Sequence, residues 1–132
     1  MAKFNFSGRK VYSRNFWDEG RTAQAKNWRI ALAKQEREAM KWEFVEKMQK
    51  GFIPPPPYII KLIRKYPTKP SNPLYKPQRR YDDDDMNGGC KHLRDGIADG
   101  LGLKSDKGIT WEYDQVKTKN KQELTVIIKT RE

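Results

Sequence analysis

The stretch from Arg79 to Tyr113, RRYDDDDMNGGCKHLRDGIADGLGLKSDKGITWEY, runs from a basic end through four consecutive aspartates, a helical pattern and a polar turn into the start of a strand. Leu93, Ile97 and Leu101 fall four apart, so NGGCKHLRDGIADGLGL reads as a short amphipathic helix that stops near Gly100 or Gly102. For the acidic run an extended backbone is expected. Alternate side chains of an extended chain share a side, which would put Asp82 and Asp84 together and turn Asp83 and Asp85 away. After the turn, ITWEYDQVK spaces Ile109, Trp111, Tyr113 and then Val116 in the manner of a strand.

Working downstream, ELTVIIKT supplies Leu124, Val126, Ile127 and Ile128 for a second strand, and KTKNKQ between the two reads as the polar turn of a C-terminal β-hairpin. Upstream, YIIKLIRKYP reads as another strand, because Ile59, Ile60, Leu62 and Ile63 are apolar and interrupted by Lys61, Arg64 and Lys65. The segment TKPSNPLYKPQRR between that strand and the aspartates is a basic, Pro-rich loop; a plain linker and a DNA-contacting arm are equal readings of it. GFIPPPP is a stiff connector that no helix can continue through. Before it, from about Asp18 to Lys50, helix-tolerant residues dominate and predict one long helix, broken at most once, with Asp18 and Glu19 suited to its start and Lys47, Lys50 and Gly51 to its stop. Trp28, Ala31, Leu32, Ala39, Trp42 and Val45 share one face of it, a stripe for core or dimer packing rather than for base stacking. The first sixteen residues, with aromatics among Lys and Arg, predict an extended start.

The expected product is an α+β domain spanning 1–132, in which a small mixed β-sheet packs against one long and one short helix. Its parts are an N-terminal extended segment and long helix (1–51), a strand and basic loop (52–81), and an acidic loop, helix and hairpin (82–132). A length of 132 residues suits one domain with a real core. Lys and Arg number 28 against 17 Asp and Glu, a net charge of +11, which points to a polyanionic partner and first of all to nucleic acid. The charge is uneven: residues 1–81 carry 19 basic and 6 acidic side chains, whereas 82–132 carry 9 and 11. Acids are therefore concentrated where a cation could use them. One cysteine excludes an intramolecular disulfide framework, and no apolar run is long enough for a membrane span or signal peptide, so a cytoplasmic protein is expected.

Four adjacent carboxylates repel one another unless cations or water compensate them. Asp82 and Asp84 on one side of the chain make a plausible oxygen-ligand pair for Mg²⁺, although an acidic run taken by itself is more often a solvated loop. Lys91, Asp95 and Asp99 follow at steps of four along one helix face, and Asp106 stands in the turn LKSDKG. Cys90 and His92 lack the further Cys or His that a zinc site needs, and DGLGLKSDKG lacks the G-K-[ST] ending of a phosphate loop.

Taken together, these residues resemble the signature of RusA-like Holliday-junction resolvases, often carried by phages: a basic loop, D-x-D-N, a helix with K-x-x-x-D, and an Asp before the next strand. In that resemblance Asp82 and Asp84 match the motif carboxylates, Lys91 the helix lysine, Asp95 the helix aspartate and Asp106 the distal aspartate. Asp85 stands where the family has Asn, and a second register would use Asp83 and Asp85 as the pair, with Asn87 as a displaced amide. The resemblance covers 79–113, about a third of the chain.

The resemblance implies a homodimeric endodeoxyribonuclease that resolves four-way junctions or other branched DNA by Mg²⁺-dependent (or Mn²⁺-dependent) phosphodiester hydrolysis. Asp82, Asp84 and Asp106 would hold the metal, Lys91 would lie beside the scissile phosphate, and Asp85 and Asp95 would support them from behind, Asp95 by orienting Lys91. Arg64, Lys65, Lys69, Lys76, Arg79 and Arg80 would track phosphates. Two rivals come from other classes: a DNA-binding protein that kept the fold without the chemistry, and a basic adaptor that binds another protein through the Trp face of the long helix.

Overall fold

A computed structural model describes residues 1–19 and 22–131. It is an α+β structure with strands β1 (Ala2–Ser7), β2 (Tyr58–Pro67), β3 (Thr110–Thr118) and β4 (Glu123–Thr130), and helices α1 (Arg14–Asp18), α2 (Ala23–Met48), α3 (Asp83–Gly89) and α4 (Lys91–Gly100). A single 3-10 turn, Asp106–Gly108, precedes β3. The chain forms two compact units, one built from Met1–Val11, Phe52–Tyr81 and the segment beginning at Gly108, the other from Tyr12–Gly51 and Asp82–Lys107. No described helix is long and apolar enough to cross a membrane.

The first unit is a four-stranded mixed sheet in the order β1-β4-β2-β3. β4 runs antiparallel to both β1 and β2, while β2 and β3 are parallel. Register explains which side chains are buried. Phe6 lies opposite Leu124, Leu62 opposite Val126 and Ile60 opposite Ile128, so the inward residues of three strands form one apolar face, all of them at most 1% exposed. The expected extended start and the expected strand over YIIKLIRKYP are both found, as β1 and β2.

The expected C-terminal hairpin is not. β3 and β4 are sequence neighbours, yet β2 lies between them and pairs with both. The four residues Lys119–Gln122 cross the end of β2 instead of turning back onto β3. Two strand spacings amount to roughly 10 Å, within the reach of a four-residue connection, so a polar linker of hairpin length serves the crossover equally well. What the linker could not reveal is that β2, apolar on alternate positions, takes the central place.

In the second unit, the long helix predicted over Asp18–Lys50 is α2, which begins later, with Thr22 accepting the Ala25 N–H at 3.1 Å as its N-cap. The part of that expectation falling on Gly20 and Arg21 lies outside the described residues. A separate short helix, α1, precedes it, capped by Ser13. The buried residues of α2 are Met40 and Phe44, not the Trp stripe: Trp28 and Trp42 are 56% and 57% exposed, so the stripe is not core. Gly96 and Gly100 of α4 let the two helices approach closely. A Cβ at Gly96 would lie 2.5 Å from the Arg37 carbonyl oxygen, and one at Gly100 would lie 2.8 Å from Phe44 Cδ1.

Candidate functional site

The acidic run is helical rather than extended. Asp82 is the N-cap of α3, its carboxylate accepting the Asp85 N–H at 2.8 Å, and Asp83, Asp84 and Asp85 fill the first turn. Their local cost is eased because a helix N-terminus carries positive partial charge that offsets adjacent carboxylates. The consequence overturns the extended-chain argument: residues two apart on a helix do not face the same way, so Asp82 and Asp84 are not a same-side pair. Asp82, Asp83 and Asp84 are exposed, and the Asn15 amide reaches Asp85 at 3.5 Å.

Beyond a break at Cys90, α4 carries Lys91 and Asp95 on one face, and the 3-10 turn brings Asp106 to them. The Lys91 ammonium lies 3.0 Å from Asp95 Oδ1 and 3.4 Å from Asp106 Oδ1. Arg94 Nε donates to Asp106 Oδ2 at 3.1 Å, and its Nη1 donates to the carbonyl of Asn87 at 2.6 Å. At the far end, Arg37 of α2 grips Asp99 through a two-point fork of 2.7 and 2.9 Å and lies 3.9 Å from Asp95. Three carboxylates and three cations thus alternate along the network. Charge is balanced within it.

The protonation energetics follow from these neighbours. Burial works against ionisation of Asp106, but the Arg94 hydrogen bond and the Lys91 charge outweigh it and hold the carboxyl below its ordinary value. Asp99 is lowered by the Arg37 hydrogen bond, and Arg37 is raised by the same bond. Burial lowers His92, whose ring meets Trp17 edge-on at 4.5 Å.

Of the five residues matched to the motif, the structure gathers Lys91, Asp95 and Asp106. It does not gather the proposed ligand set. Among the described residues, no group of three or more His, Cys, Asp or Glu side chains is arranged to hold a metal ion. Arg94 and Arg37 were missed by the sequence reading. Arg94 left one signal, its place directly before Asp95; Arg37 left none, since it stands 62 positions from Asp99.

The proposed phosphate-tracking residues lie in the first unit and divide sharply. Lys69, Lys76, Arg79 and Arg80 are exposed. Lys65 is part-buried, with its ammonium 3.1 Å from Glu123. Arg64 requires correction, because only 2% of it is exposed and it presents no cation to a polyanion. It sits over the Tyr81 ring at 3.5 Å and near the Tyr66 ring at 4.6 Å, and donates to Gln115 Oε1 and Arg79 O at 2.9 Å each. Its position on β2, in register with Gln115 of β3, points it into the buried face. A groove of about 450 Å³ in the same unit brings Lys76 and its loop neighbour Tyr75 together with Lys10 and Lys121, two residues the sequence reading did not connect with them.

Comparison of the sequence with protein-family models and with curated proteins returns no match.

Proposed function

We propose that the protein is a cytoplasmic endodeoxyribonuclease selective for branched DNA, of the kind the motif resembles. The observation that carries this reading is the meeting of Lys91 with Asp95 and Asp106, residues 4 and 15 positions away. Such a meeting follows from the motif and not from an ordinary surface pair at one helical step. Half of the Lys91 side chain is exposed, so a phosphate oxygen can reach its ammonium, while Asp95 and Asp106, at 15% and 12%, hold it from the buried side. A compact ammonium held this way can stabilise the charge that grows on a phosphorane. The exposed cations Lys69, Lys76, Arg79 and Arg80 supply sequence-independent attraction to DNA.

Magnesium or manganese enters this proposal through the resemblance alone. Asp82, Asp84 and Asp106 form no metal-holding group among the described residues, and Asp106 is engaged by Arg94 and Lys91. That engagement favours a second reading, a protein that binds branched DNA without cutting it.

Incubation of the protein with a labelled four-way junction, with and without Mg²⁺, separates the two. Strand cleavage that disappears in Lys91→Met and Asp84→Asn supports the nuclease. An intact junction bound with strong salt dependence supports the second reading, and absence of both cleavage and binding removes both.

A further inference from the structure

The groove of about 450 Å³ lies where three segments of the first unit meet at one end of the sheet: the turn after β1, the Pro-rich loop after β2 and the crossover before β4. Hydrogen bonds stitch these segments together. The Gly8 N–H donates to the Gln122 carbonyl at 2.9 Å, Gln122 Nε2 donates back to the Gly8 carbonyl at 3.2 Å, and Gln78 Nε2 donates to Gln122 Oε1 at 2.7 Å. Further along, the Ser71 N–H donates to the Lys119 carbonyl at 3.0 Å, and Asn72 caps the turn that carries Tyr75 by accepting the Leu74 N–H at 2.9 Å. Prolines at 70, 73 and 77 stiffen the same loop. Each segment contributes one exposed lysine to the lining, Lys10, Lys76 and Lys121, and among the described residues no carboxylate lines it. Between the lysines stand the half-buried ring of Tyr75 and the side chain of Leu74, 85% exposed.

Three cations without an opposing acid fit a polyanion, and an aromatic ring set among them fits one that also offers flat apolar faces. A paired duplex keeps its base faces stacked inside and presents phosphates alone to a groove of this kind. An unpaired strand presents both. We infer that the groove holds one or two nucleotides of an unpaired DNA strand, with a base stacked on Tyr75 and the flanking phosphates held by Lys10, Lys76 and Lys121. Its volume lies within the roughly 300–1,000 Å³ of pockets that take a ligand of nucleotide size. Because the hydrogen bonds and prolines fix the loop beforehand, little ordering is needed when the strand binds. The inference rests on the DNA reading proposed above and narrows its substrate to branched DNA that offers an unpaired strand, at an opened branch point or as a tail. It also turns the Pro-rich loop from a connector into one wall of a binding site.

Fluorescence anisotropy on the full-length chain tests it with three labelled probes: a thymidine oligonucleotide of about twelve residues, an abasic oligonucleotide of the same length and charge, and a blunt duplex of that length. The native protein should bind the thymidine strand about tenfold more tightly than the abasic one, the difference being the stacked base. Tyr75→Leu should close that gap and Tyr75→Phe should keep it. Lys10→Ala, Lys76→Ala and Lys121→Ala should each flatten the slope of log affinity against log salt by about 0.7 on the thymidine strand. Equal affinity for the thymidine and abasic strands overturns the inference, as does tighter binding of the blunt duplex than of the thymidine strand. So does a gap that survives Tyr75→Leu, or a salt slope that all three lysine variants leave unchanged. The proposed function fails separately. A protein that cuts or binds a fully paired four-way junction and ignores the thymidine strand keeps that function and loses this groove, whereas one that binds the thymidine strand as described and ignores the junction does the reverse.

Discussion

Arg94 and Asp106 meet at 3.1 Å with only 12% of each side chain exposed, and the same guanidinium reaches back to the carbonyl of Asn87. One side chain thereby ties the end of α3 to the turn before β3. Removing it leaves a largely buried carboxylate with one partner fewer, and loss of such a partner costs on the order of 2 kcal/mol. Arg94→Ala should lower the urea midpoint accordingly. Arg94→Lys should restore only part of the loss, because an ammonium cannot bond both Asn87 and Asp106 in the geometry of a planar fork. A midpoint equal to that of the native protein in Arg94→Ala would show the tie to be dispensable.

Acid should destabilise the protein in two separable steps. His92 is lowered by burial, so the unfolded chain takes up a proton first and stability falls as pH drops through about 6.5. Asp99 is lowered by Arg37, and Asp106 is lowered in spite of its burial, so their stabilisation is complete above the ordinary carboxylate range and is lost as pH falls through the lower folded values. Thermal unfolding measured from pH 7 to pH 3 should show both steps. Asp99→Asn should flatten the lower one and leave the upper one in place.

Glycine substitutions should separate by position. A Cβ at Gly96 would lie 2.5 Å from the Arg37 carbonyl oxygen and 2.8 Å from Met40 Cβ, and one at Gly89 would lie 1.8 Å from the Tyr12 carbonyl oxygen. Backbone atoms cannot step aside, so each alanine should cost about 1–3 kcal/mol or prevent folding. At Gly108 an added Cβ meets nothing within 4 Å. Gly108→Ala should therefore remain within about 1 kcal/mol of the native protein in the same denaturation experiment.

Stability and DNA affinity should respond to different basic residues. Arg64→Met empties the space between Tyr66 and Tyr81 of its guanidinium, takes the Arg64 donor from the oxygens of Gln78 and Arg79 and leaves Gln115 Oε1 with the Tyr81 N–H, which should cost about 2 kcal/mol or more. Lys76→Ala, at an exposed position, should leave the unfolding midpoint unchanged and reduce the slope of log affinity against log salt by about one. Fluorescence anisotropy with junction DNA at several salt concentrations reads the second effect. Equal slopes for Lys76→Ala and the native protein would exclude that lysine from the interface.

Much of the architecture was legible because it rests on local pattern. The apolar alternation of β2 and the 3.6-residue spacing in α4 announce their elements directly, and the Lys91–Asp95 step announces a shared helix face. Strand order was not legible, since nothing in KTKNKQ distinguishes a turn onto β3 from a bridge across β2. The acidic run misled for a different reason. Its side chains argue against a compact turn, whereas Asp82 as cap and the helix N-terminus make one favourable. Arg64 looked like the part-exposed Lys61 and Lys65 beside it, although strict alternation with Ile60 and Leu62 already places it on the inward face.

Each compact unit is assembled from segments separated by tens of residues, and β4, the last of the described strands, lies between β1 and β2. During synthesis, then, neither unit can mature as a contiguous piece emerging from the ribosome. The first strand has no neighbour to bond until the final one arrives, and the sheet closes only after translation has passed residue 130.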